Sequence, residues 1–563
     1  MSAEARQSFF SDRRALWLGA LLLIIVGVVT LTPILFVIIN SFNSARPSES
    51  WRFGFQGWRE AFDSPRTLNA IGYSFLLNLR ALIGIVAAFI LSWVLVRVRI
   101  PFRGTIEFML WVAYFLPSLP MALSWILLLD PSYGLLNELL KPVGLNLSIF
   151  SVYGIVWVHL TTSTIPVMVI LLTPALRRTE AALEEAARVC GAGPWQALRR
   201  VLVPVLLPSL LAVLLAGLIR GLEAFQIELL LGQPVGIYVY ATRVYDLIQW
   251  DPPLFPQAMA LSTLFLGILF VLAVFYQRFT KDRNFATVSG RGVSFRSIDM
   301  GWQRYLISIV LLALIGFGVL LPLVVLIIGS CMKVFGHFSI ADPFTLEHWK
   351  LVLKDTTFTS AMINSFLLGS GAAGFGLIVY FLLGYALTRI PMVAKGAINL
   401  FVWLPWAVPG LLLGLAFLWL LLWVPMLSPL YGSFTALISV LVIKELPIGV
   451  HMARTAFGQI GEDLEHAARI SGAGWFYTYR RIVLPLVLPM IVSVFAIIFM
   501  AAIRDISTIV LLNSATTTPL SLLMLDYSLA GQMEAAFIVG VILSVFGVIV
   551  AFLARKLGLR PVS

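Results

Sequence analysis

Twelve runs of about 20 or more mainly apolar residues divide this chain, and a run of that length is what an α-helix needs to cross the hydrocarbon core of a bilayer. They fall near 15–40, 68–96, 106–129, 151–176, 205–227 and 258–277, then near 305–330, 360–388, 397–422, 434–453, 485–512 and 534–554. Within lipid each backbone N–H and C=O must be satisfied inside its own segment or in a closed barrel, and runs this long read as helices. The expected fold class is therefore an all-α polytopic membrane protein with twelve transmembrane helices. Composition agrees: 60% of residues are hydrophobic, 12% are charged, and the mean hydropathy is +0.96. The net charge of +12 is spread between apolar runs rather than clustered with exposed aromatics, which speaks against nucleic acid as a partner and for membrane lipid.

The chain is also written twice. Leu183 to Pro208 aligns without a gap to Leu464 to Pro489, 281 residues further on, with 13 of 26 positions identical. Ser74-Phe75-Leu76-Leu77 returns as Ser365-Phe366-Leu367-Leu368, and Pro166 returns as Pro447. Six spans per half is an even number, so both halves run in the same direction through the membrane as parallel repeats. The expected division is a first transmembrane half over 1–277, a polar linker over 278–304 and a second half over 305–563.

Sidedness follows from the basic residues. If the N-terminus is cytoplasmic, 26 Lys and Arg fall in same-side segments against nine on the opposite face. The positive-inside rule then puts both termini and both copies of the repeated segment in the cytoplasm. The first run, from Ala15 to Ile39, is too long for the apolar region of a signal peptide and reads as a retained span. Cys190 and Cys331 fall on opposite sides of the membrane in this topology and cannot pair.

Within each repeated segment, Glu184 and Arg188, like Glu465 and Arg469, are spaced i,i+4 with the acid first, which supports a short helix. Gly191 and Gly472 are placed to end it. The pairs Arg199-Arg200 and Arg480-Arg481 precede Pro204 and Pro485, where the next apolar run begins. The pattern Glu185-Ala186-Ala187, three residues, Gly191, nine residues, then Val201-Leu202-Val203-Pro204 resembles the EAA loop of permease subunits of binding-protein-dependent type I ABC importers. The second copy keeps Ala467, Ala468 and Gly472 but has His466 where the motif glutamate is expected. The resemblance implies that each loop is a coupling helix seated in a groove of a cytoplasmic ATPase. The implied contacts are Glu184, Glu185, Ala186, Ala187 and Gly191 in one copy, and Glu465, His466, Ala467, Ala468 and Gly472 in the other. It further implies two ATPase subunits, each carrying ATP and Mg, a periplasmic substrate-binding protein, and residence in a bacterial inner membrane.

The chain itself has no G-x-x-x-x-G-K-[ST] segment to cradle nucleotide phosphates, so no cofactor is expected on it. Gly369 to Gly374 matches G-x-G-x-x-G but lies inside an apolar run, where small residues serve close helix packing. The histidines, His159 among them, show no metal-ligand spacing, and His159 reads as a hydrogen-bonded packing residue. Charged side chains at membrane depth are costly and become candidates for a translocation path: Lys444, Glu445, Arg504, Asp505, Arg220 and Glu223, besides Arg80 and, near an outer edge, Glu228. Arg220 and Glu223 are i,i+3 and can neutralise each other, whereas the adjacent pairs at 444–445 and 504–505 point different ways and need partners elsewhere or water.

The leading expectation is a fused permease that passes a small substrate inward while partner subunits hydrolyse ATP. The stretch from Gly232 to Tyr240 and the linker around Thr287 to Gly290 are similar to ferric iron permeases, whose relatives carry thiamine, polyamines or phosphonates. An ion-coupled secondary carrier shares the twelve-span plan, but Val98 to Gly104 lacks its G-x-x-x-D-R-x-G-R-R loop. A polytopic membrane enzyme would need a nucleophile, an acid pair or a metal cluster near one interface, and the sequence shows none.

Overall fold

A computed structural model describes residues 3–45, 50–178, 186–187, 189–281, 299–390 and 395–556. Glu184, Glu185, Arg188 and the linker residues 282–298 lie outside this set, as do the side chains of His466 and Arg469. Helix dominates, and among the described residues extended pairing is confined to two isolated bridges, Asn43 with Phe53 and Met332 with Phe344. Each bridge follows the first span of its repeat and leads into a short amphipathic helix, Gln56–Asp63 or Glu347–Lys354.

Among the described residues, ten helices are long and apolar enough to cross a membrane unbroken. The third run of each half, expected as one span, is instead two helices: Arg103–Phe115 with Ser118–Leu129, bent by 103°, and Lys395–Ala407 with Gly410–Trp423, bent by 105°. Proline causes both breaks. Its ring pushes the preceding residue out of the helical region, and Leu116 and Val408 are extended at ψ 135° and 118°. Pro117 and Pro409 are extended in turn and precede the new helix, where a missing N–H costs nothing.

Proline also explains a second irregularity. Five π-helical turns occur among the described residues, Leu160–Thr164, Leu198–Leu202, Glu228–Gly232, Gly316–Leu320 and Tyr479–Val483. Each ends two residues before a proline: Pro166, Pro204, Pro234, Pro322 and Pro485. A proline ring clashes with the carbonyl four residues back, and widening the preceding turn moves that carbonyl aside. The residue just before the proline then bonds five residues back, as Val203 N–H does to Leu198 O and Leu484 N–H to Tyr479 O. The turns at 198–202 and 479–483 are again 281 residues apart, so the repeat extends to backbone register.

Two compact units cut across the sequence halves. One holds 1–59, 254–263 and 356–523; the other holds 60–253, 264–355 and 524–563. The first span of each half is thus built into the unit that carries the other half's central spans. In the first unit Gly27 meets the Phe401 ring, and Thr356–Arg389 packs on Phe434–Gly458 and Leu484–Arg504 around buried Tyr380, Phe457 and Ile498. A Cβ on Gly384 would fall 2.6 Å from Ala453, and one on Gly371 2.5 Å from Ile438, so small residues set these close approaches. The expectation for the 369–374 stretch is met at Gly369, where a Cβ would press on Phe499, and at Gly371. In the second unit Arg80–Arg97 packs on Ile165–Arg178, with Thr164 and Met168 filling the space left by Gly84. Ser308 donates to Pro101 O at 2.6 Å and so ties the seventh run to the start of the third.

Candidate coupling loops and buried charge clusters

Both repeated loops end as the sequence requires. Gly191 has φ +85° and Gly472 φ +82°, in the left-handed region that L side chains avoid. Ala192 N–H reaches back to Ala187 O at 2.9 Å and Ala473 N–H to Ala468 O at 3.0 Å, the same capping bond in both copies. Ala186 and Ala187 are helical, and Glu462–Ile470 forms the second copy's helix with Ala467 exposed and Ala468 buried. Among the described residues, the most exposed large apolar side chains were not anticipated. Val189 and Ile470, 281 apart, are each 88% exposed, and Leu464, Phe476 and Tyr477 extend the apolar face of the second copy.

Glu465, read from sequence as the acid of an i,i+4 pair with Arg469, has partners on another helix, and the Arg469 side chain lies outside the described residues. Its carboxylate is buried, accepting from Arg389 Nε at 2.9 Å on one oxygen and from the Tyr385 hydroxyl at 2.9 Å on the other. Arg389 also donates to Phe457 O at 3.1 Å and Ile460 O at 2.7 Å. The guanidinium fork at the end of the Thr356–Arg389 helix therefore clamps the carboxylate of the loop helix and the carbonyls that lead into it. Such charge-assisted, multidentate contacts are the strong ones. Glu465 anchors the loop within its own chain.

Among the intramembrane charges, Arg220 Nη1 meets Glu223 Oε2 at 3.2 Å, the mutual neutralisation their spacing suggested. The pairs at 444–445 and 504–505 resolve across helices. Lys444 forms an ion pair with Asp505 and donates to Thr508 Oγ1 at 2.8 Å. Asp505 Oδ1 accepts from Thr508 N–H at 2.9 Å, and its main-chain carbonyl accepts from Ser521 Oγ at 2.8 Å. A Cβ on Gly410 would lie 2.9 Å from Lys444 Nζ, so the helix that restarts after Pro409 begins against this cluster. Glu445 is buried, and Arg504 is half-buried.

The other half holds a cluster that was read from sequence as separate residues. Glu228 is wholly buried, and its Oε1 lies 2.8 Å from His159 Nε2 and 3.7 Å from Arg80 Nη2. Arg80 also donates to Leu77 O at 2.9 Å and Gly221 O at 3.2 Å. His159 is the hydrogen-bonded packing residue expected, with an acid as its partner. Among the described residues no group of three or more His, Cys, Asp or Glu side chains is arranged to hold a metal ion.

The model of the family described as binding-protein-dependent transport system inner membrane component matches residues 81–283 and again 380–560. The chain belongs to this family. It is a permease component of a binding-protein-dependent ABC importer, and each matched segment contains one of the two repeated loops. A Fe(3+)-transport system permease protein of Haemophilus influenzae is 23% identical over 97% of this permease and 99% of its own length. A probable ABC transporter permease protein of Sinorhizobium fredii is 25% identical over 72% of each chain. A molybdate/tungstate transport system permease protein of Pyrococcus abyssi is 26% identical over 39% of this permease and 91% of its own length. A solved bacterial transporter that imports the acidic polysaccharide alginate covers 49% of this permease at 22% identity with a TM-score of 0.42, matching over 98% of the solved chain.

Proposed function

We propose that this chain carries both halves of the permease of an ATP-driven importer and that two ATPase subunits dock on its two loops, at 184–191 and 465–472. The observation that carries this reading is the matched ending of the loops. Two glycines 281 residues apart share one left-handed conformation and one capping bond, and beside each stands an aliphatic side chain left 88% exposed, Val189 or Ile470. An apolar residue held out on a short capped helix is the form of anchor that a groove on a partner receives. Glu184, Glu185, Ala186, Ala187, His466, Ala467 and Ala468 would complete the two contacts, with Glu465 holding the second loop in shape. The 26 to nine asymmetry of basic residues supports placing both loops and both termini in the cytoplasm.

The substrate we infer is ferric iron delivered by a periplasmic binding protein. Support comes from the Haemophilus influenzae relative, named for Fe(3+) transport and aligned over nearly all of both chains. Thiamine, polyamines and phosphonates are the alternatives within the same importer class. The path would draw on Lys444, Glu445, Arg504, Asp505, Arg220 and Glu223, where buried charge can hydrate or pair as the helices move. Copurification of an ATPase with the tagged permease, followed by uptake of radiolabelled ferric iron into vesicles holding ATP, tests the assignment. Absence of any bound ATPase would overturn it, and uptake of a different solute in place of iron would correct the substrate alone.

A further inference from the structure

We propose that the outer end of the second span carries a binding site for an oxyanion, phosphate or carboxylate in chemistry, formed by Arg66, Asn69 and Tyr238. These residues and Gly236 line an open cavity of about 220 Å³. That is ample room for one small polyatomic anion. No acidic side chain lines it. Among the described residues the side chains of Arg66, Asn69 and Tyr238 have no hydrogen-bond or ion-pair partner. A guanidinium, a carboxamide and a phenol are thus gathered with their donors unspent. Asn69 stands three residues after Arg66, on the same face of the helix Pro65–Asn78. The helix adds to the effect, because Pro65 has no N–H and the Ser64 side chain does not cap it. The first amide of that helix is Arg66's own, at an end where the backbone dipoles favour negative charge.

The walls are fixed from behind. Buried Arg243 donates to Thr67 Oγ1 at 3.3 Å and Ser64 Oγ at 3.4 Å while pairing with Asp246. Ser74 Oγ accepts from Tyr240 N–H at 2.8 Å, and Ile237 N–H bonds to Gly232 O at 2.9 Å. The loop bearing Gly236 and Tyr238 is therefore pinned against the helix bearing Arg66 and Asn69, and donors so held bind at lower entropic cost.

The second repeat supplies the internal comparison. Ser365 Oγ accepts from Leu520 N–H at 2.7 Å, the counterpart of the Ser74 to Tyr240 bond, so the frame is retained. Yet Thr357, Ser360 and Thr518 stand where the first repeat has Arg66, Asn69 and Tyr238. The frame does not require the cation and the phenol.

The anion could be free in solution or the phosphate of a lipid headgroup, and two arms of one experiment separate these sources. The full chain is purified in phospholipid-free detergent micelles and titrated with inorganic phosphate against chloride at matched ionic strength, with thermal stability as the readout. In parallel, native mass spectrometry measures retention of phosphatidylglycerol after brief delipidation. Saturable stabilisation by phosphate, weakened about tenfold or more by Arg66→Gln and several-fold by Tyr238→Phe, supports a site for free anion. No phosphate effect, with phosphatidylglycerol retained by the wild type and lost from Arg66→Gln, supports a headgroup site. Arg66 is exposed, so the variant should fold normally. If neither ligand distinguishes the wild type from Arg66→Gln, the proposal is wrong.

Discussion

His159 Nε2 lies 2.8 Å from Glu228 Oε1, and in the other half Lys444 pairs with Asp505, so each repeat joins its fourth span to the segment after its fifth by a base and a buried acid. The two joints are not at equivalent positions. A shift of 281 carries His159 to 440 and Glu228 to 509, whereas the observed partners are at 444 and 505. The base has moved four residues forward and the acid four residues back. Because consecutive spans run antiparallel, these opposite shifts keep the partners level, about 6 Å further along the bundle, one helical turn. The two halves thus place a base and an acid between the same pair of elements with different residues at different positions.

Breaking either joint from one side should be costly, since a charge at membrane depth loses its partner. Asp505→Ala and Glu228→Ala should each destabilise the permease by about 3–5 kcal/mol. Replacing Lys444 and Asp505 together with Met and Leu should cost markedly less than the two single changes summed. Unfolding titrations in detergent across the four-member cycle measure this. Additive losses would show that the two charges do not act as a pair.

Gly191→Pro or Gly472→Pro should abolish substrate uptake while leaving membrane insertion intact, because proline cannot adopt φ near +80°. Neither glycine has a heavy atom within 4 Å of its missing Cβ, so Gly→Ala tests the backbone alone, at a cost of about 1–2 kcal/mol for the left-handed residue. Uptake and ATP hydrolysis measured together in vesicles give the readout. Normal coupling in both proline variants would remove the loops from the mechanism.

Arg389→Ala should loosen the second loop without unfolding the helix it sits on. It strips the clamp from Glu465, Phe457 O and Ile460 O, and hydrogen bonds to charged groups are worth about 1.5–3 kcal/mol each. Amide hydrogen exchange over 462–470 should quicken by at least tenfold, with 434–450 unchanged. Unaltered exchange over the loop would mean that the clamp does not hold it.

The two ATPase contacts should differ in charge dependence. Glu185→Ala should weaken ATPase retention in a pull-down more than His466→Ala, because a carboxylate makes a charge-assisted contact with a basic partner that a neutral imidazole does not. Val189→Asp and Ile470→Asp should each weaken it strongly. Equal losses at Glu185 and His466 would refute the asymmetry.

Cys190 is exposed and offers a direct check of sidedness. In a Cys331→Ser background, a membrane-impermeant thiol reagent should label Cys190 in inside-out vesicles and leave it unlabelled in right-side-out ones. The reverse pattern would invert the topology.

Much of this molecule was legible in order along the chain. Apolar runs long enough to span, glycines placed to end a helix, and prolines that must interrupt a ladder act within a few residues of themselves, so their consequences were readable before any tertiary contact was known. The duplication carried the reading further, since a feature recognised at Gly191 could be sought again at Gly472 and found with the same φ. Whether a proline gives a π turn, as before Pro204, or a bend above 100°, as at Pro117, was not written in the local sequence.

What the sequence by itself determined is the membrane class, the two parallel repeats and the chemistry of the two loop ends, all set by local periodicity and backbone sterics. Only the tertiary structure decided that Arg389 and Tyr385 clamp Glu465, that Glu228 gathers His159 and Arg80, and that each half's first span joins the unit of the other half's core. The reason is physical. A buried charge takes whichever opposite charge the packed helices bring within about 4 Å, and for these pairs that partner is 69 to 148 residues away along the chain, at a distance where no spacing rule operates.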